Sequence, residues 1–165
     1  MADQTRYKTA ADIMQRDVIV VYARDTLQDA MSLMTENHVT GLPVVNSAGK
    51  CIGVITATDI LNFEQEHAEY ASEVNDDMAL HYDADSGKWE HVRVSSFALE
   101  QFGEVTVEEV MARELFSVRE DTSVKEVAEE MLREKIHRVI VTSNECRLLG
   151  IITSSDFVSL YAASP

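Results

Sequence analysis

The chain repeats itself at an offset of 97 residues, and nothing else in it restricts the possible folds as much. Met14 falls on Met111, Arg16 on Arg113, Val21 on Val118, Met34 on Met131 and Val44 on Val141. Gly53 falls on Gly150, Ile55 on Ile152, Thr56 on Thr153 and Asp59 on Asp156. These nine identities lie in one ungapped window of 48 positions, 14–61. Most other pairs exchange one apolar residue for another, as Val39 with Ile136 and Leu42 with Val139. Such a match in register reads as two copies of one supersecondary unit.

Each copy has the same internal rhythm. A short apolar run (18–21, then 115–118) predicts a strand. Capping residues follow, Asp25-Thr26 and Thr122-Ser123, and then an amphipathic helix. Leu27, Ala30, Met31 and Met34 share one face of the first helix; Val124, Val127, Ala128 and Met131 share one face of the second. Residues 42–45 and 139–141 read as buried strands. Turns at 46–50 and 143–147 lead into third strands at 52–56 and 149–153, and closing helices start near Asp59 and Asp156. The pattern is β-α-β-β-α, an α/β (α+β) unit with helices on one face of a small sheet. Three short strands are marginal alone, which gives the tandem arrangement its reason. The expected boundaries are a first repeat at 9–62, an insert at 63–105 and a second repeat at 106–160.

The insert is strongly acidic: residues 62–104 hold 11 acidic and 2 basic side chains, a net of −9. Its start extends the closing helix of the first copy. Residues 75–90 read as loop, and 91–95 alternate in polarity like one arm of a hairpin, with Trp89 as its anchor. The whole chain carries a formal charge of −15, which argues against a general affinity for nucleic acid or anionic membrane. The start lacks a long apolar run and no stretch approaches a membrane span, so the expected location is cytoplasmic. Cys51 and Cys146 have no CxxC spacing; buried free thiols are the expected state, a single disulfide the alternative.

The repeats resemble CBS domains, named after cystathionine beta-synthase. The first copy carries the likeness in Asp12-Ile13-Met14, Asp25-Thr26, His38-Val39-Thr40-Gly41-Leu42-Pro43-Val44-Val45 and Gly53-Val54-Ile55-Thr56-Ala57-Thr58-Asp59. The second carries it in Glu109-Val110-Met111, Lys135-Ile136-His137-Arg138-Val139 and Gly150-Ile151-Ile152-Thr153-Ser154-Ser155-Asp156. The resemblance implies a Bateman module: two repeats packed with pseudo-twofold symmetry, often paired into a homodimer. Its clefts between repeats would take AMP, ADP, ATP, NAD, S-adenosylmethionine or a related adenosyl ligand.

Chemistry supports that implication. A carboxylate accepts two hydrogen bonds and suits a ribose diol, while hydroxyls and the N–H groups of a helix start suit phosphate oxygens. The resemblance builds one nucleotide site from Thr153, Ser155 and Asp156, with Met14, Ile19, Val39 and Thr40 as the adenine wall. A second, weaker one has Thr56, Thr58 and Asp59, with Met111, Phe116, Ile136 and His137. The pair His137-Arg138 resembles the phosphate-gripping His-Arg of AMP-activated protein kinase gamma subunits. Thr40-Gly41 stands at that place in the first copy, so the Asp156 site is expected to favour phosphate-bearing nucleotides. The competing expectations are helix capping alone for the Thr–Asp segments, an acidic partner rather than a phosphate for Arg138, a plain surface place for His137, core plugs rather than ligand contacts for Met14 and Met111, and a ligand-free interaction module whose acidic insert docks an unidentified protein. No Gly-rich phosphate loop, metalloprotease motif or Ser-His-Asp spacing nominates an enzyme. His67, His81 and His91 with Asp83 and Asp85 match no metal-site template, so no metal is expected.

Overall fold

Helix starts in this chain are written by one device, used repeatedly. A Thr or Ser stands at the N-cap and an acid three residues on reaches back to the cap's own amide. The pairs are Thr9 with Asp12, Thr26 with Asp29, Thr106 with Glu109, Ser123 with Glu126 and Thr153 with Asp156. The computed structural model describes residues 9–67, 76–83, 88–95 and 103–163, with side chains for 9–66 and 103–163. In chain order the first repeat gives α1 (Ala10–Ile13), β1 (Val21–Tyr22), α2 (Leu27–Glu36), β2 (Gly41–Val45), β3 (Cys51–Thr56) and α3 (Ala57–His67). The insert gives β4 (Asp76–Asp83) and β5 (Lys88–Ser95). The second repeat gives α4 (Val107–Val110), β6 (Ser117–Arg119), α5 (Val124–Glu134), β7 (Arg138–Thr142), β8 (Leu148–Thr153) and α6 (Ser154–Ala162).

The sheets are ordered β1-β2-β3 and β6-β7-β8, with β1 parallel to β2, β6 parallel to β7, and β8 antiparallel to β7. The expected β-α-β-β-α unit is therefore present twice. The leading strands differ from expectation: the apolar runs at 18–20 and 115–116 are not strand, and the ladders begin at Val21 and Ser117. Parallel pairing joins Val21 and Tyr22 to Val44 and Val45; one step back the run would face Pro43, which has no amide to donate.

The compact units do not coincide with the repeats. One contains residues 9–18, 47–51 and 114–163; the other contains 19–46, 52–67, the insert and 103–113. The short helix that opens each repeat thus packs with the remainder of the other repeat. In the first unit, Ala10 and Met14 join Val118, Val127, Met131, Val139, Val141 and Ile152 in one core. In the second, Val107 and Met111 join Val21, Leu27, Ala30, Met34, Leu42, Val44, Ile55 and Ile60. The helix faces expected to be apolar supply Leu27, Ala30 and Met34 to one core, and Val127 and Met131 to the other.

Two further expectations are corrected. Residues 76–83 and 88–90 are strand rather than loop, in an antiparallel hairpin that sets Tyr82 opposite Trp89 and Met78 opposite Arg93. Its acidic residues lower strand propensity, but the paired backbone ladder overrides a weak local preference. The anchoring role of Trp89 falls outside the described side chains. Cys51 is buried as expected, but Cys146 is exposed, and both are free thiols. Cys146 sits at φ 62°, the left-handed place that Gly49 takes at φ 73° in the first copy. There the turn puts the side chain outward.

Left-handed backbone is costly for a residue with a Cβ. Cys146→Gly removes about 1–2 kcal/mol of left-handed strain and adds about 0.4–1 kcal/mol of unfolded-chain freedom, so it is expected to stabilise the protein by up to about 1 kcal/mol in urea unfolding. A second expectation concerns pH. The backbone amide and then the hydroxyl of Thr26 hold the Asp29 carboxyl below its usual range. The hydroxyls and then the amides of Thr106 and Ser123 do the same for Glu109 and Glu126. A carboxyl depressed in the folded state stabilises above its unfolded pKa, and that stability is lost as pH falls through the folded value. Tm is therefore expected to drop as pH falls below about 4, and Glu126→Gln, which keeps the cap without the charge, should flatten that slope.

Candidate functional site

Each unit presents one Thr-x-Ser/Thr-Asp segment at the junction between its last strand and closing helix. In the first unit, the amide and hydroxyl of Thr153 donate to Asp156 Oδ2 at 2.7 and 2.9 Å. In the second, Thr56 donates to Asp59 Oδ2 at 2.8 Å from its amide and 2.6 Å from its hydroxyl, and Asp59 N returns a bond to Thr56 Oγ1 at 3.2 Å. Capping is thus real in both places. It engages one oxygen of each carboxylate and leaves the other to be decided by its surroundings.

Those surroundings are built alike. Gln15 and Ile151 exchange amide-to-carbonyl bonds of 2.9 and 3.0 Å; Ala112 and Val54, 97 residues displaced, exchange bonds of 2.9 and 3.0 Å. The preceding methionines lie flat on glycines. A Cβ on Gly150 would meet Met14 Sδ at 2.7 Å and the Gln15 carbonyl at 2.8 Å. A Cβ on Gly53 would meet Met111 Sδ at 2.7 Å and the Ala112 carbonyl at 2.7 Å. The first helical amide is also tied down: Ser154 N donates to the His137 carbonyl at 3.0 Å, and Ala57 N to the Thr40 carbonyl at 2.9 Å.

Of the residues singled out in the sequence, Met14, His137, Arg138, Thr153, Ser155 and Asp156 lie in the first unit, with Phe116 and Ile136. Ile19, Val39, Thr40, Thr56, Thr58, Asp59 and Met111 lie in the second. Met14 and Met111 are buried in the two cores, whereas Ile19 and Phe116, equivalent by the repeat, are large apolar side chains left 39% and 43% exposed. His137, Ser155 and Thr58 are exposed. Arg138 opens β7 opposite Thr153, at the strand end that meets the helix start. It is half-buried, and that desolvation pulls its pKa down from the usual guanidinium value.

One side chain at the site was not singled out by the sequence. Gln15 Nε2 donates to the outer oxygen of Asp156, Oδ1, at 2.8 Å. Its signal in the sequence is the aligned pair alone: the residue after each methionine is Gln15 in one copy and Ala112 in the other. Among the described side chains no three of His, Cys, Asp and Glu stand close enough to hold a metal ion. The set His67, His81, His91, Asp83 and Asp85 lies outside those side chains. No described helix is long and apolar enough to cross a membrane.

Two sheet-and-helix units, each opening its closing helix on Thr-x-Ser/Thr-Asp, define a CBS pair. The chain belongs to the CBS domain family, whose model matches residues 10–66 and again 107–163. Among its relatives is the uncharacterised protein MJ1426 of Methanocaldococcus jannaschii, 29% identical over 154 residues, covering 89% of this chain and 87% of that one. Another is CBSX2 of Arabidopsis thaliana, 27% identical over 152 residues, 91% of this chain and 62% of that one. The structure of CBSX2 in complex with AMP superposes with a TM-score of 0.67 at 22% identity, covering 94% of this chain and 96% of that one. The CBS pair of protein MJ0100, in complex with 5′-methylthioadenosine and S-adenosylmethionine, gives 0.64 at 24%, covering 93% and 98%. Both structures share the fold. Some relatives are enzymes of which this chain matches only a part: it spans 23% of the inosine-5′-monophosphate dehydrogenase of M. jannaschii.

The methionine-on-glycine seat yields a stability prediction. Gly150→Ala and Gly53→Ala put a methyl against sulfur and a backbone oxygen, and each is expected to cost about 1–3 kcal/mol in urea unfolding. A cost near zero in both would show that the seat is loose.

Proposed function

We propose that this chain is a regulatory module that binds an adenine nucleotide or another adenosyl ligand, rather than a catalyst. The observation that carries the reading is the helix-start carboxylate, Asp156 or Asp59, held by its Thr with one oxygen turned away from the cap. A carboxylate fixed on a rigid strand–helix junction suits the two hydroxyls of a ribose. The first-turn amides beyond Ser154, which have no intrahelical acceptor, suit a phosphate, as do the hydroxyls of Ser155 and Thr58. Within their own units, the exposed apolar side chains Ile19 and Phe116 suit an adenine face. Support also comes from proteins of the same fold seen with AMP, 5′-methylthioadenosine and S-adenosylmethionine.

His137 and Arg138 assign the phosphate-bearing ligand to the Asp156 site. A guanidinium can grip phosphate with two parallel donors, and its partial desolvation strengthens the attraction. Thr40-Gly41 in the other copy offers no cation. The favoured ligands are AMP, ADP and ATP, with NAD and S-adenosylmethionine as further members of the same chemistry. Signalling would arise from a difference in ligand affinity between two conformations, read out by a homodimer or a protein partner.

Thermal unfolding with each of the five ligands tests this. A ligand at 100 times its Kd adds about 2.7 kcal/mol, or roughly 5–10 °C in Tm for a chain of this size. AMP affinity is expected to fall about 10–100-fold in Arg138→Ala and in Asp156→Asn. No shift with any of the five would overturn the reading in favour of an interaction module whose acidic insert docks a basic partner.

A further inference from the structure

The two carboxylates proposed to hold ribose are not equally open. Both spend Oδ2 on the capping Thr. Asp156 also has its Oδ1 taken, by the side-chain amide of Gln15 at 2.8 Å. At Asp59 the equivalent residue is Ala112, which forms the same two-way backbone pair with Val54 but has no amide to extend. Among the described residues nothing donates to Asp59 Oδ1. Gln15 is itself exposed, so its side chain is free to leave without disturbing the core beneath it.

We infer that Gln15 is a latch on the Asp156 carboxylate, and that its absence at Ala112 makes the Asp59 site the better seat for a nucleoside without phosphate. The inference rests on the ribose-binding reading above and deepens it. A ribose entering the Asp156 site must first displace a charge-assisted hydrogen bond; at Asp59 it displaces only water. For an unphosphorylated nucleoside the latch is the main difference, so Asp59 wins. For a nucleotide, the contacts of His137 and Arg138 with the phosphate offset the latch, so Asp156 wins. One inherited unit thereby yields two sites of crossed preference, and Gln15 is the residue that sets the threshold.

Calorimetric titration of the full chain with adenosine and with AMP tests this. Adenosine affinity in the wild type should fall with Asp59→Asn and stay unchanged with Asp156→Asn. Gln15→Ala in the Asp59→Asn background should raise adenosine affinity about tenfold. Ala112→Gln in the Asp156→Asn background should lower it by a similar factor. Both exchanged positions are exposed, and Asn retains the capping acceptor, so helix content by circular dichroism should not change. The Gln15 side-chain amide resonances should shift on AMP addition in the wild type. Unchanged or weakened binding in Gln15→Ala would overturn the latch, the weakened case marking Gln15 as a ligand contact. Absence of adenosine and AMP binding in the wild type and in every variant would instead overturn the ribose reading, and the latch with it.

Discussion

Everything in this chain hangs on a methionine lying against a glycine. In each unit the residue that could carry a side chain at the centre of the last strand is Gly, and the space goes to a methionine sulfur from a segment outside that repeat. The methionines are themselves almost fully buried. The contact fixes the backbone of the next residue, Gln15 or Ala112, which then pairs in both directions with the strand. Two residues after that strand's pairing position stands the capping Thr, and three residues further the carboxylate. Sequence identity at Met14/Met111, Gly53/Gly150 and Thr–x–x–Asp is therefore one constraint seen three times, with packing below and chemistry above.

The reuse of one capping device explains why the starts of the longer helices were legible, although the single-turn helices at Ala10–Ile13 and Val107–Val110 went unread. A side-chain oxygen that accepts an orphan amide, and an acid that closes the loop, are local events needing no tertiary context. Strand ends behave differently. A strand's extent is set by its ladder bonds as well as by apolar residues, and the ladders begin only at Val21 and Ser117 although the apolar runs start earlier. The insert shows the converse. Its acids discourage extended pairing one residue at a time, yet a full antiparallel register from Asp76–Ser95 to Asp83–Lys88 forms.

The candidate site was legible to the same degree. The Thr–Asp segments, His137 and Arg138 announce themselves by residue type and spacing. The unequal occupation of the two carboxylates does not, because it depends on a bond between residues 141 positions apart. Only an aligned reading of the copies, Gln15 against Ala112, carries a trace of it. Cys146 is a similar case: its residue type suggests burial, but the copy's Gly49 marks the position as a left-handed turn.

The crossing of segments has a historical implication. Residues 9–18 complete the core built by the second repeat, and 103–113 complete the core built by the first. A lone ancestral unit with its own leading helix would have had no one else's helix to receive. Two separate chains trading leaders would have met the need, and fusion of their genes would then have turned an exchange between molecules into one within a molecule. Joined copies no longer have to match, and a residue such as Gln15 was free to diverge from its twin.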